Sequence, residues 1–162
     1  MMVTRNGIAK KSDAAAFKDV RRSGLIAITL KDGDSLIAAM FVGDKDEMSL
    51  ITEKGQAIRF KESDVRQMGR TAAGVSAMKL GKGDRIVSAD VLKDVDKDRE
   101  ILIVTEHGYG KSTPAKEYKV QKRGGSGIKT AKVTDKTGVI VRGLTITAEE
   151  REEGELVIMS KK

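Results

Sequence analysis

Apolar positions in this chain come in short blocks rather than along one continuous stripe. Met48 to Thr52 is a short apolar run, and Gln56 to Phe60 alternates polar and apolar residues, with Ala57 less decisive than Ile58 and Phe60. Between them Glu53-Lys54-Gly55 supplies a turn with a residue free to take positive φ. The Gly-led stretch Gly74 to Leu80 predicts a third strand and Arg85 to Leu92 a fourth. Four short strands in about fifty residues match one blade of a propeller-like repeat. No helical period is sustained. Brief helix is expected near Ser12 to Phe17 and Thr147 to Glu153.

The same blocks recur. Gly24-Leu25-Ile26-Ala27-Ile28-Thr29-Leu30, Gly74-Val75-Ser76-Ala77-Met78-Lys79-Leu80 and Gly127-Ile128-Lys129-Thr130-Ala131-Lys132-Val133 each open on Gly, with apolar residues at positions two, five and seven; their leading glycines lie 50 and 53 residues apart. An apolar-Thr-polar-polar-Gly motif keeps step as Val3 to Gly7, Ile51 to Gly55 and Val104 to Gly108. A polar Gly-containing turn follows each Gly-led block: Asp32-Gly33-Asp34, Gly81-Lys82-Gly83-Asp84 and Asp135-Lys136-Thr137-Gly138. Three landmarks in one order, three times over, define a repeat.

The expected units are 1–47, 48–100 and 101–153, with 154–162 matching the opening strand of a further one. The fold class is thus all-β, with about three four-stranded blades plus one extra strand. Such an array looks cut from a longer one, because propellers usually close with at least about four blades. Open faces and edges would be covered by self-association, such as a homodimer, or left as an open arc.

Composition narrows the partners. Two Tyr, three Phe and no Trp leave small and β-branched residues, with Met as filler (Met40, Met68, Met78, Met159), to build the core. A net charge of +7 and a pI near 9.6 favour a polyanion. With no Cys there is no disulfide framework or thiolate metal site, and no apolar run approaches a membrane span. The lone His107 sits in a turn without a second ligand. No acid/base pair accompanies a nucleophile, and Gly108-Tyr109-Gly110-Lys111-Ser112 lacks the spacing of a phosphate loop. Tyr109 and Tyr118 read as packing residues with hydrogen-bonded hydroxyls, and acidic Thr147 to Glu153 as an exposed loop facing away from a polyanion.

Particular segments carry a resemblance. Ile58-Arg59-Phe60 through Asp64-Val65-Arg66-Gln67-Met68-Gly69-Arg70-Thr71-Ala72-Ala73-Gly74-Val75 resembles a blade of the C-terminal β-pinwheel of gyrase A subunits, as does Val104 to Pro114 followed by Glu117-Tyr118. Gln121-Lys122-Arg123-Gly124-Gly125-Ser126-Gly127 resembles that family's basic, glycine-rich box, with Ser126 where a basic residue is expected, and in a later blade than the family's defining copy. The resemblance implies a fragment of a five- or six-bladed domain that binds, bends and wraps double-stranded DNA without sequence readout. It implies no catalysis here: ATP and magnesium would serve the parent topoisomerase elsewhere. Implied partners are the rest of gyrase A and gyrase B, in the cytoplasm and away from membranes. Candidate DNA contacts are Gln121, Lys122, Arg123, Gly124, Gly125, Gly127 and Lys129, with Arg66 and Arg70, and Arg21 and Arg22, at comparable places in the other units. A bent duplex, costing on the order of 1–6 kcal/mol, needs such a row rather than one loop. The alternatives are the equivalent topoisomerase IV domain, which bends DNA, and a repeat scaffold for protein partners.

Overall fold

The computed structural model describes residues 1–20, 22–93 and 98–159. Its strands fall in three groups. The first unit holds β1 (Met2–Thr4), β2 (Ile8–Lys10) and β3 (Leu36–Ala39); the second holds β4 (Glu47–Thr52), β5 (Gln56–Lys61), β6 (Val75–Ser76) and β7 (Ile86–Leu92); the third holds β8 (Glu100–Thr105), β9 (Gly110–Pro114), β10 (Ile128–Lys129) and β11 (Ile140–Ile146). Among the described residues helix is limited to 3-10 turns at Ala14–Phe17, Glu62–Asp64 and Ala115–Glu117, and to α1 (Ala148–Glu153).

The Thr-x-x-Gly motif builds every hairpin. Thr4, Thr52 and Thr105 each accept, on the side-chain Oγ1, the amide four residues on: Ile8 at 3.2 Å, Gln56 at 3.0 Å and Tyr109 at 3.2 Å. The Gly amide closes the turn on the Thr carbonyl, and Gly7, Gly55 and Gly108 take φ of +80°, +90° and +81°, where a Cβ would be strained. The later acidic landmark caps this turn. Asp34 Oδ1 accepts the Asn6 amide and Asp84 Oδ1 the Lys54 amide, both at 3.0 Å. In the third unit Gly138 stands there instead, and the His107 amide goes to the Thr137 carbonyl.

Strand pairing departs from the expected blade in one respect. The sheets run β3-β1-β2-β6, β10-β5-β4-β7 and β11-β8-β9, all antiparallel. The Gly-led strand therefore joins the sheet of the preceding unit, not its own. Val75 pairs with Ala9, and Ile128 pairs with Ala57. The turn carbonyls hold these guests: Gly7 O accepts the amides of Ala77 and Met78, and Gly55 O those of Thr130 and Ala131. The first Gly-led segment forms no strand. The third sheet has three strands, with β9 at its edge.

Because strands are exchanged, the cores lie between sheets. One joins Met1, Val3 and Ala9 to Met48, Leu50, Ile58, Phe60 and Ala77; the other joins Ile51 and Ala57 to Ile101, Ile103, Tyr118 and Ile140. Met78 is buried, and Met40 and Met68 are partly buried against the first core. Other expectations are corrected. Met159 is 91% exposed and is no core filler. Residues 154–159 form no strand, and Leu156 to Met159 are exposed; 160–162 lie outside the described residues. Thr147 to Glu153 takes the brief helix expected there rather than the loop its acidity suggested, and the helix is capped: Thr147 Oγ1 accepts the Glu150 amide and the Glu150 carboxylate accepts the Thr147 amide. Tyr109 is exposed, its ring under the Lys136 ammonium at 5.8 Å, whereas Tyr118 is buried with its hydroxyl on Thr130.

Gly127 tests the exchange. Its φ is +72°, and an added Cβ would fall well inside contact with the Ala57 carbonyl of β5. Gly24 has nearly the same φ, +73°, with nothing within 4 Å. Gly127→Ala is expected to cost about 2 to 4 kcal/mol and Gly24→Ala about 1 kcal/mol in urea unfolding. Equal costs would show that Gly127 is not seated against β5.

Candidate nucleic-acid interface

The box-like loop forms the seam between β5 and the guest β10. The Gln121 amide donates to Arg59 O (2.7 Å), the Gly124 amide to Ala77 O (2.6 Å), and Gly125 O accepts the Lys79 amide (2.9 Å). The backbone of this candidate DNA-contact loop is thus partly engaged within the protein. The Gln121 and Gly124 amides are spent on protein, Gly124 supplies positive φ, and Gly127 supplies close approach. Ser126 is exposed.

Arginine and lysine divide the work along this seam. Arg123 sends Nε to Asp64 O (2.8 Å) and Nη1 to Ser76 O (2.9 Å), bridging the 3-10 turn and β6 of the second unit. Arg70 makes the counterpart of the Ser76 contact one unit earlier, its Nη1 reaching Ile26 O at 3.0 Å. A planar fork that binds two carbonyls suits Arg. Carbonyl partners leave its positive charge uncancelled. Lys122, by contrast, projects with a side chain 92% exposed, 3.5 Å from the Asp64 carboxylate. An ion pair that open contributes little.

Arg66 and Lys129 are exposed and their side chains make no hydrogen bond or ion pair among the described residues, and the same holds for Arg22. Arg21 lies outside the described residues. Two further cations went unremarked in the sequence. Lys79 and Lys132 are exposed at the sixth position of successive Gly-led segments, and the backbone of Lys79 abuts Gly125. The signal was there in the repeat register, but Lys at a strand end also reads as ordinary solvated surface.

A second layer of cations pins units together. Lys11 Nζ meets the Glu62 carboxylate at 2.5 Å, and Arg59 Nη1 meets Ala115 O at 2.7 Å while its Nε pairs with Glu47. Lys10 is fully buried, with Nζ on Ala27 O (2.6 Å) and on Arg70 O. Burial, and secondarily the Arg70 charge, push its ammonium below the usual lysine range. His107 is exposed in its turn with Nδ1 3.0 Å from Lys136 O, and no group of three metal-ligating side chains occurs among the described residues.

The family described as DNA gyrase C-terminal domain, beta-propeller, matches residues 1–42, 46–93 and 99–147. The chain belongs to that family. It is 43% identical over 150 residues to the DNA gyrase A protein of Staphylococcus epidermidis and 41% identical to that of Staphylococcus aureus; each match covers 93% of this chain but 17% of the relative. Among solved structures, the C-terminal domain of a DNA topoisomerase IV superposes with a TM-score of 0.84 and that of a DNA gyrase A with 0.80, both at 31% identity over 90% of this chain, which is 45% and 48% of those chains. No helix among the described residues is long and apolar enough to cross a membrane.

Arg123 is expected to carry stability as well as charge. Arg123→Ala removes two charge-assisted hydrogen bonds and, after discounting for partial exposure, should lower unfolding free energy by about 1 to 3 kcal/mol. Lys122→Ala should change it by less than about 0.5 kcal/mol. Indistinguishable urea midpoints for the two variants would contradict this division.

Proposed function

We propose that this chain binds and bends duplex DNA without catalysis or sequence readout, as part of the DNA-wrapping module of a gyrase A protein. The observation that carries the reading is the set of exposed cations on and around the box-like loop and the Gly-led segments, Arg66, Lys79, Lys122, Lys129 and Lys132, of which Lys79 and Lys132 occupy the same position of successive units. Long flexible cations reach phosphates and release counterions, which gives affinity without reading bases. In this reading the chain needs neither nucleotide nor metal, and it acts beside the rest of gyrase A and gyrase B in the cytoplasm.

A second reading is supported by the 0.84 TM-score with a topoisomerase IV domain: bending of DNA without a sustained wrap. Relaxing a plasmid in the presence of the chain separates the two. Wrapping constrains writhe and shifts the linking number; bending alone leaves it unchanged.

Duplex binding across a salt series tests the shared claim. Because Arg123 also holds the seam, the informative variant is Lys122→Ala/Lys129→Ala. Each phosphate contact removed should flatten the slope of log K against log salt by about 0.9, with unfolding unchanged. Affinity that ignores salt would favour a protein-binding scaffold instead.

A further inference from the structure

The repeat register lets equivalent surfaces of the three units be compared charge by charge. In each unit a stretch of 18 residues ends with the Gly-led segment: 13–30, 63–80 and 116–133. The third stretch carries six lysines and arginines against Glu117 alone, a net charge of +5. The second carries three against Asp64, a net +2, and the first three against Asp13 and Asp19, a net +1. Arg70 and Arg123 do not make the difference, because each is tied to a carbonyl at its seam.

The excess consists of exposed side chains at matching places. Val65 and Tyr118 are buried where the 3-10 turns of the second and third units end, and the exposed Arg66 and Lys119 come next. Further along, Gly69 of the second unit matches Lys122 of the third, and Ser76 on β6 matches Lys129 on β10. Lys79 and Lys132 are alike. Lys119, Lys122, Lys129 and Lys132 are all exposed. Among the described residues one carboxylate is paired with any of them, that of Asp64, 3.5 Å from a Lys122 side chain that is 92% exposed. In the first unit the third and sixth places of the Gly-led segment hold Ile26 and Thr29, and the Thr29 hydroxyl donates to Thr71 O at 2.6 Å. The exposed Lys18 and Arg22 of that unit share their stretch with the exposed carboxylates of Asp13 and Asp19.

Counterion release grows with the number of phosphates neutralised together, so a duplex gains most where free cations are densest. Carboxylates among the cations give part of that gain back. We propose that, of these three units, the third anchors the duplex through Lys119, Lys122, Lys129 and Lys132, with contact thinning through the second to the first. This rests on the DNA reading above and gives the track a direction along the repeat. The contrast lies within the three units and does not change with what flanks them.

Tethered cleavage reads the contact directly, since the chain has no Cys. Ser23, Ala73 and Ser126 are exposed, and each immediately precedes a leading glycine. Ser23→Cys, Ala73→Cys and Ser126→Cys are made singly in the full chain, and each is labelled with an iron chelate that generates hydroxyl radicals. Bound duplex should be cut several-fold more by the Ser126→Cys conjugate than by the Ser23→Cys conjugate, with Ala73→Cys between them. A charge-matched pair gives an independent readout. Lys119→Gln/Lys132→Gln should flatten the slope of log K against log salt by about 1.8, two contacts at about 0.9 each. Lys18→Gln/Arg22→Gln removes as much charge from the first unit and should leave the slope unchanged. Equal cutting, or equal flattening, in a chain that still binds with a steep salt dependence overturns the anchor and leaves the DNA reading standing. Binding by the parent chain that ignores salt overturns both.

Discussion

The structure depends on a hydrogen bond at two hairpin tips, where a glycine carbonyl faces the next unit and accepts its amides. At Gly7 and at Gly55 this carbonyl fixes where the following Gly-led strand lies, and thereby which sheet it completes. The guests β6 and β10 are two residues long, too short to hold by ladder bonds alone. The glycine at the guest's start, Gly74 or Gly127, lets the strand approach the host carbonyl where any Cβ would collide. Everything larger follows. Cores form between sheets, so Phe60 and Ile58 pack with Val3 and Ala9 from the neighbouring unit, and no blade owns a complete interior.

That constraint also sorts the charges. Residues facing a seam must satisfy carbonyls left over where sheets meet, and Arg59, Arg70 and Arg123 do so with directional forks. Lys10, fully buried, meets the same need at the first seam; at the corresponding place of the second unit stands Ile58, packed in the core. Cations that satisfy no seam carbonyl, such as Lys79, Lys122 and Lys132, are left to solvent. Basic residues in one sequence block thus serve two ends: Arg123 ties blades together while Lys122 beside it reaches outward. The excess behind the net charge of +7 is therefore spent in part on holding units together.

Much of the fold was legible in the sequence, because a repeat multiplies weak signals. The Thr and Gly of Val3 to Gly7, Ile51 to Gly55 and Val104 to Gly108 mark turns whose bonds the structure repeats three times. Strand partners were not legible. Alternation tells which side of a strand is apolar, not which strand lies beside it, so Val75 could not be assigned to the sheet of Ile8. In the candidate site the loop 121–127 stood out, but the inward role of Arg123 did not, since a carbonyl on another unit leaves no local trace. Tyr109 and Met159 misled for a related reason: residue type predicts burial only where a neighbour exists to cover it. Lys79 and Lys132 were hidden by resemblance to ordinary surface lysines.

Native-state hydrogen exchange at the Ala77 and Thr130 amides, bonded to Gly7 O at 2.8 Å and Gly55 O at 2.9 Å, tests the central claim most directly. If strand exchange makes the array one cooperative body, both amides open only with global unfolding, at the same free energy as Leu50 in the middle of β4. Exchange through local opening, insensitive to denaturant and several kcal/mol below Leu50, would contradict it, leaving blades that stand alone with guests only loosely laid on them.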